Sequence, residues 1–318
     1  MWDGLDEGAM FHLTGESTLI EKVTIGNAPV GILLGKEQEG IGTGKVIMRD
    51  CYFNGCETAV KIGPSDNNND EVTLDHVTVE GCETLLRINN KAAMGFRIRS
   101  CFVKDGQKNN SDDVTEYWLT EEVNVKDIID VRAGGCVYVE DMTVIHADSI
   151  LKFNPDLDGT IKDITGSSYP IERIGSNNGF FSLKNIKLDV QAGTPKVVDM
   201  AEYFNVRIIV ENVQAPRSPW QNAIDDDDPA TMYNLKGRTA ISIRDCNLFK
   251  DCISWKTLST NFPNITLDHC SLGNSPTSIL EVLSHTKSNG KCYISTRNCY
   301  DYDSHASLPD ISAYVEAK

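Results

Sequence analysis

The chain is 318 residues long, 40% hydrophobic and 24% charged, a composition of folded globular domains that excludes a disordered chain. Forty-six acids against thirty bases leave a formal charge of −16, a field that opposes a phosphate backbone and excludes nucleic acid as the expected partner. No apolar run approaches the ~18–20 residues of a membrane-crossing helix, and Asp3, Asp6 and Glu7 stand where a secretion signal would be basic and then apolar, so neither membrane insertion nor a signal is expected.

One short pattern recurs along the chain: an apolar residue, two polar ones, a small or apolar one, any residue, then apolar. In chain order it is found at Ile20 to Ile25, Ile47 to Phe53, Leu74 to Val79, Ile98 to Val103 and Val139 to Val144. It continues at Ile161 to Gly166, Leu183 to Leu188, Val210 to Ala215, Ile243 to Leu248, Leu267 to Leu272 and, without its leading apolar residue, Thr296 to Tyr302. The small or apolar slot recurs every 22 to 41 residues, a variation that suits a solenoid with loops of unequal length. Period-2 alternation leads into the copies, as in Val46-Ile47-Met48 and Ile265-Thr266-Leu267, and predicts strands. A further apolar stretch follows several copies, such as Ala59-Val60-Lys61-Ile62 and Leu85-Leu86-Arg87-Ile88, so each copy supplies about three short strands.

Five of the ten cysteines, Cys51, Cys101, Cys246, Cys270 and Cys299, occupy the small slot and are expected as an inward column of reduced thiols. Cys56 and Cys82 share a second slot, with Cys252 close to it. Their spacings lack the short C-x-x-C pairs of zinc sites, and no metal or other cofactor is expected. Adjacent copies can bring Cys246 and Cys270 within disulfide reach, a pairing open to an oxidising setting but not needed by the fold. The residue before the slot is Asp50, His76, Ser100, Asp141, Asp163, Asn185, Asn212, Asp245, His269 or Asn298, polar types that accept an unusual turn conformation and can bond one another between copies. That recurrence makes His76 and His269 structural, although Leu-Asp-His-Val and Leu-Asp-His-Cys look like catalytic pairs.

Strands of equivalent copies stacked in parallel satisfy this pattern. In that register the chain resembles, over about residues 10 to 303, the right-handed parallel β-helix of the pectin-lyase-like superfamily, the scaffold of pectinolytic enzymes and many phage tailspikes. The fold class expected is therefore all-β: a single-stranded right-handed parallel β-helix solenoid of about 10–11 coils. Residues 1–18 read as an N-terminal cap, 19–303 as the β-helix and 304–318 as a C-terminal cap, with Leu308 to Val315 spaced for a short covering helix.

Departures from the period are where such a scaffold carries function. One enlarged interval, between Cys101 and Met142, contains Tyr117 and Trp118; another, between Val213 and Cys246, contains Trp220, the acidic run with Asp225 and Asp226, and Tyr233. Both leave after the same strand, and their aromatics, together with Asp225 and Asp226, are the candidate contact residues for protein or sugar. Acid clusters at Asp66 to Asp70, at Asp156 and Asp158, and at Asp225 to Asp228 lack the glycine-containing ligand loops of calcium sites and read as solvated turns. The Asn-Thr-Asp, Asp-Asp, Gly-His-Gly and Arg-Ile-Lys series of polygalacturonases is missing, since Asp112-Asp113 falls in a polar loop, and Arg217-Ser218-Pro219-Trp220 does not complete the Arg-x-Pro-x-x-Arg of pectate lyases. No catalytic residue is assigned.

The resemblance therefore implies a non-enzymatic phage virion protein, tail-spike-like or capsid-decorating, located on the particle and outside the cell after release. Its expected partners are other virion proteins or surface glycans, with a homo-oligomer such as a trimer as the assembly considered. A polysaccharide depolymerase, hydrolase or lyase, is the alternative.

Overall fold

A computed structural model of the chain describes residues 8–13, 17–35, 44–62, 71–89, 95–109, 120–132, 135–154, 178–188, 196–201, 205–215, 231–249, 252–257, 262–273 and 288–317. The chain divides into two compact units, residues 1–152 and 153–318. Among the described residues every regular element is a strand. The sheets are built of parallel pairs, apart from one hairpin and the last strand.

In the first unit each repeat supplies three strands. The first ladder stacks Thr18–Glu21, Lys45–Arg49, Glu71–Asp75, Gly95–Arg99 and Gly135–Val144 in register. The second stacks Thr24–Gly26, Tyr52–Asn54, Thr78–Glu80 and Phe102–Lys104. The third stacks Ala9–Leu13, Val30–Leu34, Thr58–Ile62, Thr84–Ile88 and Asp127–Val131. Ala9–Leu13 thus already forms a rung inside the segment read as a leading cap. Alternation decides which side faces in: Val46 and Met48 are fully buried while Lys45, Ile47 and Arg49 face out, and Val72 and Leu74 repeat the pattern.

The bend after the first ladder explains the polar column. Lys22, Asp50, His76, Ser100 and Asp141 in this unit, and Asn185, Asn212, Asp245, His269 and Asn298 in the other, all have φ between 51° and 57°. Asn, Asp and His tolerate that left-handed conformation best among residues with a side chain, because a short polar group can bond locally. The bend N–H stays in the hydrogen-bond ladder: Asp50 N donates to the Asp75 carbonyl and His76 N to that of Arg99. Asn212 Nδ2 also donates to Asn185 Oδ1 at 3.0 Å, a bond between neighbouring copies of the column. Asp163 lies outside the described residues, as does the copy at 161–166.

In the second unit the first ladder comprises Asn178–Leu188, Asn205–Gln214, Ala240–Arg244, Asn264–Asp268 and Lys291–Arg297. Tyr233–Lys236 pairs with Lys196–Met200 and Ile253–Lys256, and Ser271–Leu272 with Asn247–Leu248 and Tyr300–Asp301. Trp255, fully buried, donates its indole N–H to the Gly290 carbonyl at 3.0 Å. The covering helix expected at Leu308 to Val315 is replaced by a strand, Ser312–Glu316, antiparallel to Lys291–Arg297. Uncovered, the outer edge of Lys291–Arg297 would leave N–H and C=O groups unpaired, and a strand satisfies them directly where a helix does not.

Candidate functional site

The inward column of thiols is a property of the bend. Cys51, Cys101, Cys246, Cys270 and Cys299 each follow a positive-φ residue and are at most 2% exposed. Each thiol turns back to the carbonyl two residues earlier: Cys51 Sγ to Arg49 at 3.3 Å, Cys101 Sγ to Arg99 at 3.3 Å, Cys246 Sγ to Arg244 at 3.1 Å. A thiol is a weak donor that also packs as a small hydrophobe, so it suits a slot that is apolar but lies beside a carbonyl. Burial pushes the Cys101 and Cys246 thiols up to about 12, which disfavours the reactive thiolate.

The outward face of the first ladder carries a pattern that copy-by-copy reading missed. Its last position is Glu21, Arg49, Asp75, Arg99 and Glu140 in the first unit, each residue in register with the next. In the second unit it is Lys184, Glu211, Arg244, Asp268 and Arg297. The sign of charge alternates at every step. Arg49 reaches Glu21 at 2.9 Å and Asp75 at 3.5 Å; Arg99 reaches Asp75 at 2.8 Å. Arg297 reaches Asp268 at 2.6 Å and Arg244 reaches it at 3.5 Å. The signal was available only by comparing positions 24 to 29 residues apart in the clearest copies.

The two Asp-His pairs belong to this row. His76 Nδ1 lies 2.9 Å from Asp75 Oδ1 and His269 Nδ1 lies 2.7 Å from Asp268 Oδ1, while both rings are more than half exposed. The bond to Arg297, aided by His269, holds Asp268 down at about 2, and Arg99 lowers Asp75 in the same way. Each carboxylate is thus committed to neighbouring guanidiniums, which favours the structural reading.

Of the predicted contact residues, Tyr117, Trp118, Trp220, Asp225 and Asp226 lie outside the described residues, as do the three acid clusters. The described base of the first insertion is a hairpin, Gly106–Asn109 with Thr120–Val123. It springs from Asp105, whose Oδ1 accepts from Val125 N at 2.8 Å and lies 3.0 Å from His146 Nδ1. Gly81, at φ 60°, and Gly106 approach so closely that a Cβ on either would lie within 3.0 Å of the other's backbone, so both glycines seat the hairpin.

Tyr233 is corrected. It is not a loop contact but part of Tyr233–Lys236, 0% exposed, its hydroxyl meeting no hydrogen-bond partner among the described residues and its pKa pushed up by burial and by the nearby Cys246, Cys252 and Cys270. Met232-Tyr233-Asn234-Leu235-Lys236 has the alternation of the third-ladder strands, and that signal outranked the loop length.

A depression of about 320 Å³ lies on the outward first-ladder face of the first unit. Its floor includes Ile47, Thr73 and Tyr138, and its rim Lys45, Glu71, Arg97 and Glu140. Tyr138 is 46% exposed, with the Arg97 guanidinium 5.9 Å from its ring centroid. Glu71 holds Arg97 at 3.3 Å and Lys45 at 3.6 Å, so the rim offers both signs of charge around an open aromatic ring. Among the described residues no group of His, Cys, Asp and Glu is arranged to hold a metal, and no helix is long and apolar enough to cross a membrane. No protein-family model, curated protein or solved structure matches the chain.

Proposed function

We propose that the chain is a right-handed parallel β-helix of the pectin-lyase-like kind, acting as a non-enzymatic virion structural protein that contacts glycans or other particle proteins through its outward faces. What supports the scaffold is the in-register parallel stacking of three strands per repeat in the first unit, with a left-handed residue at each first bend. The observation that carries the contact role is the half-exposed ring of Tyr138 beside Arg97 in a depression lined by charged and apolar groups. A flat amphipathic ring with charged groups beside it suits a sugar face and its hydroxyl or carboxylate substituents. The carboxylates of the row beside that depression are ion-paired at their bases, which favours recognition over acid–base chemistry.

The test incubates the chain with acidic and capsular polysaccharides, following both retention and product release. Retention that falls about tenfold in Tyr138→Ala, with no shortened product, is expected. Released oligosaccharide would replace this reading with the depolymerase. Native mass spectrometry of the assembly that contains the chain tests the particle role, which a free monomer without particle neighbours contradicts.

A further inference from the structure

We infer that the end of the first ladder in the second unit is a binding platform for a neutral pyranose ring of a glycan, separate in its residues from the depression of the first unit. The inference rests on the glycan-contact reading above and extends it to a second ligand class. Parallel and then antiparallel pairing brings Tyr293 opposite Tyr314, and Ser295 opposite Ser312. Thr266 pairs with Ser295 on the other side. Rings therefore make one row of the face and hydroxyls the next.

The rings are held as a group. Tyr314 meets Phe262 edge to face at 5.4 Å and Tyr293 at 5.1 Å, and the Tyr293 hydroxyl bonds Ser312 Oγ at 2.6 Å. Even so, Tyr314 remains 64% exposed, the most open large hydrophobic side chain of the described residues. Internal packing fixes its position without using its outer area. An edge strand is ordinarily guarded by charge or proline, and here the middle of Ser312–Glu316 presents a tyrosine instead.

The chemistry of the two rows selects the occupant. A tyrosine supplies rigid, amphipathic contact area at small entropic cost, and the adjacent hydroxyls both donate and accept. The charged positions on either side of these rows favour no anion, because Arg297 is bound to Asp268 beyond the serines and Lys291 stands in register with Glu316 beyond the rings. An anion gains little there. A neutral sugar presents an apolar C–H face to the rings and hydroxyls to Thr266, Ser295 and Ser312, matching both rows at once.

Saturation-transfer NMR on the full chain, with maltohexaose, cellohexaose, mannohexaose and galactohexaose as probes, tests the platform. At least one of these is expected to receive saturation, with binding about tenfold weaker in Tyr314→Ala and little changed in Tyr314→Phe, which keeps the ring. Ser295→Ala removes a hydroxyl without touching the aromatic group, and a severalfold loss is expected even if Tyr314→Ala disturbs the last strand. Tyr138→Ala is expected to leave this binding unchanged. Absence of transfer to all four probes from the wild-type chain at millimolar concentration overturns the platform, as does binding insensitive to both Tyr314→Ala and Ser295→Ala. Loss in Tyr138→Ala alone reassigns the sugar to the first unit, overturning the platform while leaving the proposed function in place. Self-association that Tyr314→Ala abolishes, with no transfer to the sugars, makes a second copy the occupant and also overturns it.

Discussion

Leu74-Asp75-His76-Val77 in the first unit and Leu267-Asp268-His269-Cys270 in the second sit in the same local frame. Each aspartate lies between two arginines of neighbouring repeats, each histidine holds a left-handed bend, and each following residue turns inward. The surroundings differ. Beside Asp75 lies a depression floored by Tyr138; beside Asp268 lies a face of hydroxyls leading to Tyr293 and Tyr314. Repetition of the frame marks it as structural, and the rows around it, which do not repeat, are the places where binding can differ between units.

The alternation of charge also bears on how repeats find their neighbours. Residues adjacent in the row attract, whereas residues two repeats apart, such as Arg49 and Arg99 or Arg244 and Arg297, have like sign. A chain that skipped one repeat in stacking would set like charges side by side, so the row opposes that error as well as stabilising the correct register.

The largest effect is expected from reversing one member of the row. Asp268→Lys would place three cations in succession at Arg244, Lys and Arg297, and a loss of about 3 kcal/mol is expected, the scale of disrupting a buried ion pair. Asp268→Asn keeps hydrogen-bonding capacity, and because its guanidinium partners are exposed to solvent screening it should cost only about 1–2 kcal/mol. Chemical denaturation of the two variants measures both values. Equal losses would show that the alternating sign contributes nothing beyond the hydrogen bonds.

The bend gives the next largest effect. A β-branched residue is strained in the left-handed region by roughly 1–2 kcal/mol, whereas asparagine is at home there. His269→Val is therefore expected to destabilise by that amount and His269→Asn to be nearly neutral, and the same order should hold at His76. If a histidine were doing chemistry, His76→Asn would abolish an activity without altering stability, and the structural reading of that site would fall.

The bends were legible in the sequence because most repeats place Asp, Asn or His at one slot, although Lys22 and Ser100 take the same conformation. The charged row was harder to see, since Arg49, Asp75 and Arg99 acquire meaning only once their strands are in register. Tyr233 was misplaced because a long interval suggested a long loop, although Met232 and Leu235 around it already had the spacing of a buried strand. Leu308 to Val315 is compatible with helix or strand by apolar spacing alone; the open edge of Lys291–Arg297, a tertiary feature, decides for the strand. Of the candidate aromatics, Tyr138, Tyr293 and Tyr314 lie on regular strands, so a search confined to enlarged intervals passed over them.

Acid weakens both frames by a smaller margin. Asp268 is held at about 2, below its ordinary value near 4, so the stability it adds is fully present above pH ~4 and is lost as pH falls toward 2. Asp75 is shifted in the same direction, with Arg49 also engaging Glu21. Thermal melts of Asp268→Asn and Asp75→Asn against the wild-type chain should therefore both converge with it on acidification. A difference that persisted below pH 2 would assign the effect to packing rather than charge.

The smallest effect is expected at the thiols. Cys246 receives Val213 N–H at 3.4 Å and turns its own hydrogen toward Arg244 O at 3.1 Å, both weak bonds, while Val77 and Val213 fill the same slot in other repeats without them. Cys246→Val preserves volume and burial and should change stability by less than about 1.5 kcal/mol, with no dependence on reductant. The raised pKa also predicts that Cys246 resists alkylation at pH 8 until the chain unfolds. Rapid native labelling, or a melt of the wild-type chain that shifts with reductant while Cys246→Val does not, would mean that the column is chemically active and that inward volume is not what selects cysteine there.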